Sequence, residues 1–273
     1  MSPLSFNNQH VQRLRRLSGR RSSRQSESAF LVEGAKVLIE ALDAGAQIEA
    51  VFVVDGTQDP VLTRALALGI PVHELAGGVM ERITDTVTPQ PILAVAVLEN
   101  HTLADLRSAL MLGGFVLVGV DLRDPGNAGT IIRSCEASGA VGVVLCEGCV
   151  DATNPKTVRS TAGALFHIPV VAAADPLSVL EELRNWGVRS WAAVANGAHA
   201  IPYDRCDLSG PTALLVGNEA HGLPANIDSA VDGALTIPMA GRTESLNVSM
   251  AATVLCFEAA RQRRGPHRPA PPA

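Results

Sequence analysis

The chain has little aromatic surface. Phe, Trp and Tyr make up 3% of it, which argues against the ring-lined platform on which proteins commonly stack single-stranded RNA. Its only lysines are Lys36 and Lys156, and neither follows glycine, so the usual phosphate-binding P-loop is missing. No two glycines are separated by a single residue, which rules out a G-x-G-x-x-G dinucleotide fingerprint. H-E-x-x-H and G-x-S-x-G are also missing. NAD, ATP, zinc-protease and serine-hydrolase chemistry are therefore disfavoured. The longest apolar run, Ala109 to Val120, is interrupted by glycine and too short to span a bilayer. Ser5 to Ser28 is too polar for the apolar core of a signal peptide. No membrane association and a cytoplasmic location are the expectation. The five cysteines, Cys135, Cys146, Cys149, Cys206 and Cys256, are too scattered for a disulfide framework. Cys146 and Cys149 form a C-x-x-C with no second pair or histidine cluster beside it, at the end of the strand-like run VGVVLC. Packed thiols, and no metal site, are expected there.

With 273 residues, 47% of them hydrophobic and 18% charged, the chain can bury a sizeable core in one large domain or two modest ones. The formal charge of −5 is unevenly spread. Arg13, Arg15, Arg16, Arg20, Arg21 and Arg24 crowd residues 10–24 without an acid, and Arg261, Arg263, Arg264 and Arg268 do the same near the other end. Basic ends on an acidic body suit contact with phosphates, although solvated tails have the same composition.

Hydrophobic patterning divides the chain into a basic N-terminal arm over 1–27, flexible or partly helical, then a small α/β unit over 28–100. Within that unit FLV, IEAVFVV, PVHEL and ILAVAVLE read as strands, with EGAKVLIEALDAG and Pro60–Leu68 as helices. A short helical linker over 101–112 follows. Over 113–264, six strand candidates (FVLVGVDL, VGVVLCEG, FHIPVVA, SWAAVAN, TALLVGN and GALTIPM) alternate with helical stretches. That alternation implies a mostly parallel sheet flanked by helices. Ser245–Arg264 reads as a long closing helix, and a proline-rich tail over 265–273 ends regular structure. In a parallel sheet, ligands bind beyond the carboxyl ends of the strands. That is where DLRDPGNAG, GNEAHGLP and IPMAGRTESLN fall.

Three segments, DPGNAGTIIRSCEASG, LLVGNEAHGL and LTIPMAGRTESLNVSMAA, resemble in order and spacing the signature motifs of the SpoU, or TrmH-like, RNA methyltransferases. FLVEGAKVLIEAL resembles the opening of that family's substrate-binding domain. The resemblance spans roughly residues 28–262. It implies an α/β fold whose C-terminal part is tied into a trefoil knot, preceded by a smaller α/β RNA-binding domain. It also implies S-adenosylmethionine as cofactor, an RNA partner, and a homodimer whose active site forms across the interface. Carried over residue by residue, the cofactor pocket is Gly217, Ile237, Met239, Leu246 and Asn247, and the catalytic or substrate residues are Asn127, Arg133, Glu219, Ser245 and Asn247.

Each of these residues also has a more ordinary reading. Asn127 is placed to cap the helix after Gly126, and Ser245 to begin the last helix. Asn247, inside an apolar helix start, needs hydrogen-bond partners if buried. Glu219 reads equally as an exposed loop acid, and Arg133 as a solvated helix charge. His221 is of a residue type that often serves as a base, but the family motif does not demand it, and it is set aside as a loop residue. The chemistry favours the functional readings. A ribose 2′-hydroxyl attacking a sulfonium methyl needs in-line positioning and positive charge near the developing alkoxide. Arginine supplies both charge and a bidentate grip on phosphate, and its pKa above about 12 makes it a poor general base. The expected activity is RNA 2′-O-methylation, on ribosomal RNA ahead of transfer RNA. A non-catalytic RNA-binding protein and methylation of a base are the alternatives.

Overall fold

The structure, a computed structural model, describes residues 3–84, 86–173, 175–195, 197 and 199–264. The expected proline-rich tail and Arg268 lie outside the described residues. Along the chain the first elements are α1 (Gln9–Gly19), α2 (Arg21–Glu27), β1 (Ala29–Glu33), α3 (Ala35–Asp43) and β2 (Ile48–Val54). Then come α4 (Pro60–Ala67), β3 (Val72–Leu75), α5 (Met80–Ile83), β4 (Ile92–Val97), α6 (Arg107–Met111), β5 (Phe115–Gly119), α7 (Pro125–Ser138) and β6 (Gly142–Leu145). The remainder is α8 (Pro155–Thr161), β7 (Val170–Ala172), α9 (Pro176–Asn185), β8 (Arg189–Ala193), β9 (Ile201–Pro202), β10 (Thr212–Val216), α10 (Ala225–Asp228), β11 (Gly233–Thr236) and α11 (Val248–Arg263).

Two compact units result: Met1–Glu99 with Asp151–His167, and Asn100–Val150 with Ile168–Ala273. The first is a four-stranded sheet in the order β1-β4-β2-β3, in which β4 is antiparallel to both β1 and β2, and β2 and β3 are parallel. Strand alternation sends Val51 and Val53 to one face, against Leu38, Ala41, Val61 and Ala65 of α3 and α4. It sends Phe52 to the other, against Val11, Leu14 and Leu17 of α1 and Met80 and Ile83 of α5.

The N-terminal segment is therefore not an arm. Val11, Leu14 and Leu17 recur every third residue, bury one stripe of α1, and complete the core of the first unit. Asn8 caps this helix by accepting from the His10 N–H. Arg24, only 2% exposed, donates to both Asp151 Oδ2 (2.8 and 2.9 Å) and the Leu17 carbonyl (2.8 Å). The arginine run hides a core helix beneath polar composition. The segment 151–167, expected within the second unit, also belongs to the first: Val158, Leu165 and Phe166 pack with its α3–α4 core, and Arg159 pairs with Glu33 at 2.7 Å.

The second unit has seven parallel strands in the order β7-β6-β5-β10-β8-β11-β9. Sequence patterning finds six of them; β9, two residues long, is too short to show a period. From β5 the chain runs outward through β6 and β7, then returns on the other side of β5. The order reverses there, and β10 lies directly beside β5. A reversal of this kind opens a crevice at the strand carboxyl ends. The expected linker is short 3-10 and α-helix whose Leu103, Leu106 and Leu110 are buried in the core of this unit. The closing helix starts at Val248, three residues later than expected, because Asn247 and not Ser245 stands at its N-terminus.

Candidate active site

At the carboxyl end of β5 the backbone turns sharply. Asp121 has φ +54°, a conformation costly for a residue with a side chain. Its carboxylate is shared: Oδ1 accepts from Arg123 Nε at 2.9 Å, and Oδ2 from Asn218 Nδ2 at 3.1 Å. Three residues on, Asp124 caps α7 by accepting the Asn127 N–H at 2.8 Å, with Pro125 at the first helical position. The cap expected of Asn127 is thus supplied by Asp124. This leaves the Asn127 side chain free to reach across the crevice.

It does so in both directions. Asn127 Nδ2 donates to Glu219 Oε1 at 3.1 Å, and Asn127 Oδ1 accepts from Asn247 Nδ2 at 3.1 Å. Three loops, after β5, β10 and β11, are thereby joined by side chains of three different motifs. Glu219 also accepts the backbone N–H groups of Asp124 (3.3 Å) and Arg123 (3.5 Å). Partial burial pushes the Glu219 carboxyl up, but the Asn127 amide and the surrounding backbone N–H groups outweigh it and hold the carboxyl below its ordinary value. Asn247 is exposed, contrary to the buried alternative. Its Oδ1 caps α11 by accepting from Ser249 N (2.9 Å) and Oγ (2.7 Å).

Beside this line of polar groups lies a cavity of about 510 Å3. Gly217, Ile237, Met239 and Leu246 line it, as do Glu219 and Ser245; Asn127, Arg133 and Asn247 do not. Gly217 admits no side chain: a Cβ would lie 2.3 Å from the Gly222 carbonyl carbon and 2.5 Å from the Leu223 nitrogen. The close approach comes from a tight loop. The Asn218 and Gly222 backbones exchange hydrogen bonds of 3.0 and 2.9 Å, with Gly222 at φ +69°. Arg133 is exposed on α7 and makes no hydrogen bond or ion pair among the described residues, so within one chain it joins none of the other motif residues.

Sequence reasoning passed over Asp121 and Asn218, although both lie in or beside quoted motifs. It also set aside His221, which lines the cavity. Only the fold shows that Asp121 and Asn218 clasp two loops together. Cys146 and Cys149 are buried; burial pushes the Cys146 thiol up to about 12, and Cys149 Sγ bonds the Gly119 carbonyl at 3.3 Å. Among the described residues no cluster of potential ligands suits a metal ion, and no helix is long and apolar enough to cross a membrane.

The SpoU rRNA Methylase family profile matches residues 114–257. The chain belongs to this family. The SpoU profile begins at the start of β5, and a second profile, the MRM3-like substrate binding domain, matches residues 8–94, so α1 falls within that match. This SpoU protein is 37% identical over 254 residues to the 23S rRNA (guanosine(2553)-2′-O)-methyltransferase RlmP of Bacillus subtilis, covering 93% of this chain and 96% of the relative. Among solved structures it resembles an AdoMet-bound rRNA methyltransferase from Sinorhizobium meliloti (TM-score 0.79, 31% identity, 95% of this chain and 97% of the other). It also resembles the SpoU methyltransferase AviRb from Streptomyces viridochromogenes in complex with AdoMet (TM-score 0.82, 27% identity, 96% and 100%). Membership of the SpoU family makes the chain an RNA 2′-O-methyltransferase with S-adenosylmethionine as methyl donor.

Proposed function

We propose that this methyltransferase acts on ribosomal RNA, at a ribose 2′-hydroxyl, in the cytoplasm. The observation that carries the site is the Asn247–Asn127–Glu219 line of hydrogen bonds at the edge of the Gly217 cavity. Ribosomal RNA is preferred over transfer RNA because the Bacillus subtilis relative, an rRNA enzyme by name, aligns along 93% of this chain, both units included.

The cavity suits S-adenosylmethionine. Its volume lies within the range of about 300–1,000 Å3 typical of such ligands, and the missing side chain at Gly217 lets the 218–222 loop fold back tightly as a wall of the cavity. Gly217, Ile237, Met239 and Leu246 would hold it. When bound, it supplies an electrophilic methyl group on sulfur. The remaining work falls to the side chains. Glu219, kept ionised by its donors, orients Asn127, and Asn127 with Asn247 fixes the loops between which a ribose is presented. Arg133 stabilises the developing alkoxide and grips an RNA phosphate. The general base is left unassigned.

A homodimer is part of the same reading. Met250 (60% exposed), Val254 and Phe257 (42%) recur on one stripe of α11, an apolar surface suited to a second copy; Leu255, on the same helix, is buried. Arg133, isolated from the other motif residues of its own chain, is what a site completed by a second copy requires. The trefoil knot belongs to this reading as well. It is supported by the position of β10 between β5 and β8 and by the return of residues 237–246 to the cavity edge.

The direct test incubates the protein with labelled S-adenosylmethionine and either ribosomal or transfer RNA, then digests the RNA for mass spectrometry. A 2′-O-methylated nucleoside from ribosomal RNA is expected. Label on a base, or in transfer RNA alone, would reject the reading.

A further inference from the structure

Phe6 lies just before α1, half-buried against the core face that α1 covers. Its backbone is fixed from two sides. Gln12 Nε2 donates to the Phe6 carbonyl at 2.7 Å, and nearby Leu4 pairs with the edge strand β3 through Leu4 N–Glu74 O (2.7 Å) and Ala76 N–Leu4 O (3.0 Å). Two arginines converge on the Phe6 ring. The guanidinium carbon of Arg15, on α1, lies 4.7 Å from the ring centroid, and that of Arg82, on α5, lies 5.0 Å from it.

Neither cation has a carboxylate partner among the described residues; the one hydrogen bond of Arg15 runs to Gln12 Oε1 at 3.3 Å. Other arginines of this unit differ. Arg13 meets Glu27 and Glu49, Arg24 meets Asp151, Arg64 meets Asp43, and Arg159 meets Glu33. The exposed carboxylate of Glu81, beside Arg82 in sequence, bonds to neither Arg15 nor Arg82. Two exposed positive charges lie within about 5 Å of one ring centroid without a carboxylate among the described residues to neutralise them, and the phosphates of a polyanion supply that neutralisation. A guanidinium stacked on a ring keeps its N–H edge free, and that planar edge matches the oxygens of a phosphate. Arg20, exposed at the end of α1 and without a carboxylate partner among the described residues, extends the positive surface.

We propose that Arg15 and Arg82, held over the Phe6 ring, form a binding site for the phosphodiester backbone of the substrate RNA. The site rests on the RNA reading above and adds which residues of the first unit make the contact. It also divides the basic N-terminal segment. Arg13 and Arg24 hold the fold together, whereas Arg15, with Arg82 from α5, faces the nucleic acid.

Filter binding of in vitro transcribed 23S rRNA to the full-length protein, over a series of salt concentrations, tests the site. Each phosphate contact contributes about 0.7–0.9 to the slope of log affinity against log salt. Arg15→Gln and Arg82→Gln should each weaken binding several-fold and flatten the slope by roughly that amount, with the double variant additive. Phe6→Leu keeps both charges but releases their heads, so affinity should fall with little change of slope. Arg64→Gln, which removes an arginine already paired with Asp43, should leave the slope alone. Melting temperatures and S-adenosylmethionine affinity, measured on the same samples, establish that each variant is folded. A folded double variant with the wild-type slope overturns the site, as does a lowered melting temperature with the slope intact, since the ring would then only fasten the N-terminal segment. Wild-type protein that binds no RNA overturns the RNA reading itself, a result distinct from either.

Discussion

A Cβ at Gly217 would press on backbone, the Gly222 carbonyl carbon at 2.3 Å and the Leu223 nitrogen at 2.5 Å, and backbone in a five-residue loop closed by its own hydrogen bonds cannot give way cheaply. Gly217→Ala should therefore distort the cavity wall at a cost of about 1–3 kcal/mol. Calorimetry should show affinity for S-adenosylmethionine lowered by at least roughly tenfold; an unchanged affinity would refute the assignment of this wall. Glu219 carries a pH prediction. Its folded pKa is depressed, so its contribution to stability is complete above the unfolded value of about 4.3 and is lost as pH falls through the lower folded value. Asn127→Ala removes the strongest of the lowering contacts while burial remains, so the carboxyl should titrate at higher pH. Carbon NMR of the Glu219 carboxyl reads this directly, and no upward movement would show that Asn127 does not govern the acid. Gly217 and Glu219 were both legible in the sequence because the motif quotes them. Asp121 and Asn218 were not, because their clasp exists only once β5 and β10 lie side by side.

Helix α2 is held to the segment 151–167 by one buried ion pair. Arg24 meets Asp151 Oδ2 and also donates to the Leu17 carbonyl at the end of α1, where the helix dipole welcomes a cation. Removing one member of such a pair leaves the other charge buried, which costs about 3–5 kcal/mol. Arg24→Ala should lower the denaturant midpoint accordingly, and a shift below about 1 kcal/mol would mean that water replaces the pair. Deleting residues 1–26 is for the same reason no clean test of RNA affinity. It strips Val11, Leu14 and Leu17 from the core, and loss of the folded first unit is expected instead.

For the whole molecule the open claim is the dimer. Met250→Asp with Phe257→Ser should turn a dimer into a monomer by light scattering and abolish methylation, because a charge placed on a closed apolar interface is costly. A wild-type monomer that is fully active would refute it. Arg133→Ala should leave stability within about 0.5 kcal/mol, as befits an exposed side chain. In single turnover it should cost about 2–3 kcal/mol of transition-state stabilisation. If the site is shared between copies, mixing Arg133→Ala with Asn127→Ala protein should recover part of the activity, since a mixed dimer contains one intact site. No recovery after subunit exchange would place Arg133 and Asn127 in the same site of one chain.

By itself the sequence determined the chemistry. Three loops carrying Asn127, Glu219 and Asn247 in fixed order name the family, and period-two and period-3.6 patterning locates most strands and helices, because these signals are local and survive without knowledge of the fold. Only the tertiary structure decided that an arginine-rich stretch is a core helix, since Val11, Leu14 and Leu17 form a stripe too narrow to stand out among charges. Only it showed that 151–167 packs with the first unit, and that Asp124 rather than Asn127 caps α7, freeing Asn127 to bond Glu219 and Asn247. The joining of Asn127 to Glu219 and Asn247, and of 151–167 to the first unit, depends on contacts between residues roughly a hundred positions apart, which no local period records.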